Sequence, residues 1–112
     1  MIRLTVLYNL PPGTDEAEFL RWRTGEHQQE NESMPGVITT DFGRIDQHWT
    51  PEGMQNGAPY RFMTIADFPD RETFERAFLS PDAQGDLNND LKRIHNPLFL
   101  VSEILISSEK KG

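Results

Sequence analysis

The chain contains no cysteine and no long apolar run, and each of these absences excludes a class of protein. Without cysteine, a disulfide framework, a thiolate nucleophile and a cysteine-based zinc or iron–sulfur site cannot form. No apolar run approaches the roughly 18 residues that a membrane-spanning helix needs. No apolar stretch of the signal-peptide type follows the first residues either. We therefore expect a cytoplasmic protein.

Basic charge is also scarce, because 11 Lys and Arg residues stand against 18 Asp and Glu residues and give a net charge of −7. No basic run is longer than two residues, the length of the pair Lys110-Lys111. A surface of this sign disfavours long-range attraction to phosphate backbones and to anionic lipids. We expect neither nucleic acid nor a membrane as a partner.

Several motifs that identify enzyme classes are missing. The sequence has no Gly-rich phosphate loop and no Gly-x-Ser-x-Gly elbow, which sets aside nucleotide binding and serine hydrolysis. The three histidines form neither a His-x-His nor a His-x₃-His pair, and His27 with Glu30 is only a weak ligand signal. We therefore expect no metal and no other cofactor.

The hydrophobic pattern predicts the element order β-α-β-β-α-β. Strands are indicated by period-2 alternation or β-branched residues, and helices by apolar residues at i, i+3 and i+4 behind capping residues. This order is the split βαβ arrangement of ferredoxin-like α+β folds, in which a four-stranded antiparallel sheet carries its helices on one face. The predicted bounds are strands 2–8, 37–49, 60–68 and 98–106, helices 15–31 and 70–79, and a further helical segment between Pro81 and Pro97.

The last predicted strand is apolar on both of its faces, which is typical of a strand that is buried on both sides. Two helices cover only one face of a small sheet, so the other face calls for a second subunit. We predict a single domain over residues 1–108 with a polar tail over 109–112, and a homodimer that packs sheet to sheet. One face of this strand carries Leu98, Leu100, Ile104 and Ile106, and the other Phe99, Val101 and Leu105.

The first helix holds the most informative side chains. Arg23, His27 and Glu30 lie at i, i+4 and i+7 on the arc that also holds Phe19 and Leu20. Burying such groups costs several kcal/mol unless they are paired or face a wet cavity. Three arrangements remain open: a pocket lining, a solvated ladder of i,i+4 pairs, and a buried structural network.

If the pocket exists, these residue types suggest a different chemical role for each side chain. The imidazole of His27 suits general acid–base work at neutral pH, and the guanidinium of Arg23 suits an anionic group or an enolate oxygen. Neighbouring strands could supply a hydroxyl, an aromatic ring or an indole N–H. We predict Tyr8 and Tyr60 as further catalytic residues, and Trp49, Thr64 and Glu30 as substrate-binding residues.

The order and spacing of several short motifs resemble the EthD-like group of the dimeric α+β barrel superfamily. The likeness spans nearly the whole chain. It is carried by strand 2–8, the turn Pro11-Pro12-Gly13, the helical residues Phe19, Trp22 and His27, the segments Met34-Pro35-Gly36-Val37 and Phe78-x-Ser80-Pro81, and the closing Asn96-Pro97.

This resemblance implies a dimer with a cavity between helices and sheet that serves cofactor-free chemistry on small aromatic, polyketide-like or lactone molecules. Relatives in the superfamily include lactone isomerases, polyketide cyclases and cofactor-independent monooxygenases, and EthD-like members are often labelled oxidoreductases. Their helical histidine is matched here by His27. Two alternatives are a non-catalytic small-ligand carrier or accessory protein, and a purely structural dimerisation module.

Overall fold

Four strands of the computed structural model form one antiparallel sheet, and its helices all lie on one face; the structure describes residues 1–110. The ferredoxin-like arrangement predicted from the sequence is confirmed. The elements are β1 (Ile2–Asn9), α1 (Glu16–Thr24), α2 (Glu26–Glu32), β2 (Thr39–Arg44), β3 (Gln47–Thr50), β4 (Gly53–Asn56), β5 (Phe62–Phe68), α3 (Arg71–Phe78), α4 (Pro81–Asp90), a 3-10 turn (Leu91–Arg93) and β6 (His95–Glu103).

The two central strands build the core between sheet and helices. The strand order is β2-β5-β1-β6, and β1 pairs with β5 in a register that sets Tyr8 opposite Phe62 and Ile2 opposite Phe68. Alternate residues of each strand point to the same face. The helix-facing residues of both strands are therefore mostly buried: Ile2, Leu4, Val6, Tyr8, Phe62, Ala66 and Phe68.

The predicted first helix is divided in two at Gly25, which contradicts the single helix over 15–31. A side chain at this position would bring its Cβ to 3.0 Å from the Arg21 carbonyl oxygen. Gly25 instead ends α1, where its N–H donates to that oxygen, and begins α2. The break lies in the middle of the stripe that holds Arg23, His27 and Glu30, so no single helical period relates these residues.

The predicted strand 37–49 is also wrong in detail, because its residues are divided between two sheets. The sheet strand β2 ends at Arg44, and among the strands of residues 1–110, β3 and β4 pair only with each other and form a separate hairpin. Pro51 lies in the tight turn of this hairpin, and Gly53 is the first residue of β4.

The last strand begins and ends three residues earlier than predicted. β6 covers His95–Glu103, so Leu105 and Ile106 lie beyond it and are exposed. Pro97 lies inside the strand, which an edge strand tolerates because the residue, which has no N–H, can turn its nitrogen toward the outer side, where no neighbouring strand needs a donor. The predicted polar tail over 109–112 is described only as far as residue 110, and its last two residues lie outside the described part.

The face of the sheet that no helix covers is apolar at its centre, and we call it the open face. Leu98 pairs with Leu7 and Leu100 with Thr5, which places these residues on the side opposite the helices. Both leucines of β6 are exposed, and Leu100 keeps 42% of its surface accessible. The apolar centre of the open face consists of Leu7, Met63, Ile65, Leu98 and Leu100.

Within residues 1–110, no helix combines the length and the apolar character that crossing a membrane requires.

Candidate functional site

A cavity of about 490 Å³ lies between the sheet and the helices that cover it. Its volume falls within the range of about 300–1,000 Å³ that is typical of small-molecule sites. Strands β1 and β5 supply its floor, α1 and α2 one wall, and α3 and α4 the other. Most of its lining is apolar, and its hydrophobic residues include Leu4, Val6, Phe19, Phe78, Leu87 and Phe99.

The guanidinium of Arg23 is the most unusual group in this lining, because the residue is only 2% exposed. No carboxylate of residues 1–110 lies within ion-pair distance of it, since every ion pair in that range involves other residues. Its Cζ lies 4.4 Å from the centre of the Phe42 ring, so the aromatic face supplies part of the missing stabilisation. Burial lowers the pKa of Arg23, while the neighbouring Tyr8 hydroxyl and the Asp90 carboxylate oppose that shift.

Neutral hydrogen-bonding groups hold this guanidinium in place. Arg23 Nη1 donates to Gln28 Oε1 at 2.7 Å, and Nη2 donates to Thr64 Oγ1 at 3.0 Å. The Gln28 amide in turn donates to the Thr40 carbonyl at 3.3 Å, and the Tyr8 hydroxyl lies 3.3 Å from Thr64 Oγ1. The chain of contacts therefore fixes a positive charge in the cavity without neutralising it.

His27 lines the same cavity from α2, and its side chain is 14% exposed. Its ring stacks on Trp22 with 4.4 Å between ring centroids and 20° between planes. Nδ1 lies 3.1 Å from Glu30 Oε2 and 3.6 Å from Asp90 Oδ2. With Nδ1 facing carboxylates, the tautomer that carries its proton there leaves Nε2 as the basic nitrogen for a ligand.

Asp90 brings a second carboxylate to His27 from a different helix. Burial raises the pKa of Asp90, and the charges of Glu30 and Asp86 add to the shift, while His27 and Arg93 oppose it. Ligand atoms of His27, Glu30 and Asp90 all lie within 4.8 Å of one another, so these three residues could hold a metal ion. The absence of a metal stays a prediction from the sequence.

The structure brings together five of the seven predicted site residues: Tyr8, Arg23, His27, Glu30 and Thr64 all line the cavity. The other two, Tyr60 and Trp49, do not line it in this protomer. Tyr60 precedes β5, which begins at Phe62, and Trp49 lies on the hairpin, where it is 66% exposed. Of the three arrangements left open, the structure excludes the solvated ladder for Arg23, which is buried and bonds to Gln28 and Thr64 and not to Glu30. Arg23 both lines the cavity and belongs to a buried hydrogen-bond network.

Two residues of the site were not predicted. Gln28 follows the histidine and looked like part of a polar helix end, and only the break at Gly25 turns it toward Arg23. A pattern in the sequence does point to Asp90 as a lining residue. Asp82, Asp86 and Asp90 recur at i, i+4 and i+8, next to an apolar series with the same spacing, Ala83, Leu87 and Leu91. This spacing places all three carboxylates on one face of α4.

Replacing Asp90 by asparagine is expected to stabilise the protein at pH 7 by up to about 1 kcal/mol, since partial exposure screens the charge. A carboxyl whose pKa is raised in the folded state starts to cost stability as the pH rises through its ordinary pKa, 3.8 for Asp90, and the full cost is reached above the raised pKa. The gain from Asp90→Asn should therefore vanish below pH 3.8. Urea unfolding of both proteins between pH 3 and pH 7 measures this.

Asp82→Asn provides the matched control on the same helix. Asp82 lies in the first turn of α4, where a negative charge is favourable, so its loss should lower stability slightly. A lower stability of Asp90→Asn than of wild type at pH 7 would contradict the assigned environment of Asp90.

Comparison with known proteins agrees with the resemblance to the EthD-like group. The family model described as "REDY-like protein HapK" matches residues 2–104. An EthD family protein from Bacillus halodurans superposes with a TM-score of 0.73 at 19% identity, over 94% of this chain and 99% of that one. HapK from Hahella chejuensis gives 0.67 at 18% identity over 100% of both chains.

A third similar structure is SnoaB from Streptomyces nogalater, described as a cofactor-independent oxygenase. It gives a TM-score of 0.66 at 12% identity, over 97% of each chain. Two more, from Thermobifida fusca and Bacteroides fragilis, are described as dimeric ferredoxin-like proteins of unknown function, with TM-scores of 0.66 and 0.59. At these identities the likeness establishes the fold. No curated protein matches the chain.

Proposed function

Because the chain belongs to the REDY-like HapK family, we propose that its cavity binds a small cyclic or aromatic molecule, polyketide-like or lactone in type, and transfers protons on it without a cofactor. The observation that carries the proposal is the pair of side chains that line one apolar cavity, the buried guanidinium of Arg23 and the imidazole of His27. Isomerisation and cyclisation by general acid–base chemistry fit this pair, and so does oxygenation in which O₂ oxidises the deprotonated ligand.

Arg23 binds the acidic or enolisable oxygen of the ligand. Its N–H groups are strong charge-assisted donors, and the low dielectric around a buried group makes them stronger toward an oxygen that gains negative charge. Because Gln28 and Thr64 already hold the guanidinium, no side chain has to reorganise when that charge develops. Tyr8 supplies a second hydroxyl beside Thr64 for the same oxygen.

His27 takes a proton from the ligand through Nε2 and returns it at another atom. Stacking on Trp22 fixes the plane of its ring, and Glu30 and Asp90 stabilise the imidazolium that forms when Nε2 is protonated. SnoaB, with a similar fold, is described as a cofactor-independent oxygenase, which supports chemistry of this kind in this chain.

The second candidate function is a non-catalytic ligand carrier, which the predominantly apolar lining of the cavity also favours. Carrier and enzyme share Arg23 as the anchor and differ at His27. Loss of the imidazole stops turnover in an enzyme while binding persists, whereas in a carrier it changes only affinity. A purely structural module needs no cavity, so it is the weakest of the three readings.

We also propose that two copies pack through the open face. Within its apolar centre, Leu98 and Leu100 are exposed in one protomer and the other three residues are partly buried, and exposed apolar patches mark interaction surfaces. Proteins of similar structure are described as dimeric. Sheet-to-sheet packing leaves the cavity, on the other side of the sheet, accessible in both subunits. The cytoplasmic location and the lack of nucleic-acid and membrane partners stay predictions from the sequence.

Replacing His27 by phenylalanine tests the site, because the substitution keeps a ring on Trp22 and removes both nitrogens. The variant is expected to melt a few degrees higher, since functional polar groups in a cavity usually reduce stability. A panel of small aromatic acids and lactones should raise the melting temperature of wild type and raise that of the variant less. Differential scanning fluorimetry measures both effects.

His95→Phe is the matched control, since His95 is exposed at the start of β6, outside the cavity lining. Its response to the compounds should equal that of wild type. If His27→Phe melts lower and no compound shifts either protein, His27 is a structural residue and the enzyme reading is wrong.

A further inference from the structure

Three carboxylates of helix α4 lie along one edge of the cavity, and we call them the acidic stripe: Asp82 and Asp86, which are exposed, and Asp90, which is partly buried. They recur once per helical turn on one side of the helix. Glu30 lines the cavity from α2, and its charge contributes to the raised pKa of Asp90. Negative charge is therefore concentrated on one side of the cavity, next to apolar lining residues that cannot neutralise it.

No lysine or arginine within residues 1–110 lies within 4.0 Å of these four carboxylates. Their one basic contact is His27, which faces Glu30 and Asp90. Arg76, the other arginine in the lining besides Arg23, is held by Glu72 at 2.7 Å. Of these four carboxylates, Asp90 is partly buried, whereas Glu30, Asp82 and Asp86 are exposed.

Arg23 forms the opposite pole of the same cavity. Its guanidinium is buried and bonded only to the neutral groups of Gln28 and Thr64, yet the charge of Asp90 acts on it and opposes the lowering of its pKa. The two charges thus face a common interior without forming an ion pair. Within residues 1–110, Arg23 has no carboxylate partner, and Asp82 and Asp86 have no basic partner, so these groups can pair with a ligand group of the opposite sign.

We propose that the ligand is amphoteric, with an acidic or enolic oxygen that binds Arg23 and a positively charged nitrogen that binds the acidic stripe. The apolar lining between the two poles takes the hydrocarbon or ring body that joins them. A cationic nitrogen that binds at the inner end of the stripe pairs with Asp90, where the contact is less screened by water than at the exposed Asp82 and Asp86. This inference rests on the ligand site proposed above and specifies its ligand class.

Three matched probes test it by isothermal titration calorimetry in buffer that contains EDTA, so that no metal bridges the carboxylates. The probes share one ring body: 2-naphthoic acid carries only the anion, 2-naphthylmethylamine only the cation, and 6-(aminomethyl)-2-naphthoic acid both. Wild type should bind the third probe about 10- to 100-fold more tightly than the first, the range expected for a charge-assisted contact.

Asp86→Asn/Asp90→Asn should abolish this advantage and leave the affinity for 2-naphthoic acid unchanged or higher. Glu52→Gln/Glu109→Gln, which changes the net charge equally at two exposed positions, should retain the advantage. An amine group that adds no affinity to wild type, or adds the same in all three proteins, would overturn the amphoteric ligand. If 2-naphthoic acid still binds in an Arg23-dependent way, the ligand site itself stands; if it does not bind at all, both proposals are wrong.

Discussion

Arg23→Met is expected to weaken the binding of an aromatic carboxylate such as 2-naphthoic acid by about 10- to 100-fold, because it removes a buried charge-assisted hydrogen-bond donor from an apolar cavity. Methionine fills a similar volume, so the fold should persist. The free energy of unfolding should change little, since removal of a buried charge without a carboxylate partner offsets the loss of its bonds to Gln28 and Thr64. Calorimetric titration and urea unfolding measure the two quantities.

Two further variants sharpen this test. Arg23→Lys keeps the charge but loses the planar fork and the stacking over Phe42, so it should recover only part of the affinity. Arg21→Met removes an exposed arginine from the same helix and should bind like wild type. Equal affinity of Arg23→Met and Arg21→Met would exclude Arg23 as the anchor.

Leu100→Lys is expected to convert the dimer into monomers at micromolar concentration. A lysine at the apolar centre of the open face places a charge where a dimer would exclude water, at a cost of several kcal/mol per interface. The side chain is exposed in the single protomer, so the fold itself loses little. Size-exclusion chromatography with light scattering measures the mass, and circular dichroism checks the fold.

Leu79→Lys is the control for this substitution. Leu79 ends α3 and is also exposed, but it lies on the helical side of the molecule. It should leave the mass unchanged. If wild type is already a monomer of 12.9 kDa, the open face has another role and the dimer proposal is wrong.

The helix-facing side of the sheet was predictable because it depends on alternation alone. Ile2, Leu4, Val6 and Tyr8 share a face in any strand, and pairing with β5 adds Phe62, Ala66 and Phe68 to it. The interior of the ferredoxin-like fold follows from this pattern together with the element order. The ends of β6 and the hairpin of β3 and β4 did not follow, because turn geometry and edge pairing decide them and leave little trace in hydrophobicity.

The candidate site was predictable only in its residue types. Arg23 and His27 stood out because charged groups on the apolar arc of a helix need a reason to be there. The partners of these two side chains could not be predicted from the sequence, because the helix changes direction at Gly25 and α4 comes from a distant part of the chain. The break at Gly25 makes Gln28, and not Glu30, the partner of Arg23. The packing of α4 brings Asp90 to His27.

The most direct test of the central claim, that Arg23 anchors an acidic ligand in the cavity under the helices, is an NMR titration that follows the arginine Nε–H signals. Arg23→Met assigns the Arg23 signal by its disappearance. Addition of 2-naphthoic acid should shift that signal and the amides of His27 and Thr64, while the signals of the exposed Arg21 and of the β3–β4 hairpin stay in place. Shifts confined to exposed arginines, or none at saturating probe, would contradict the account.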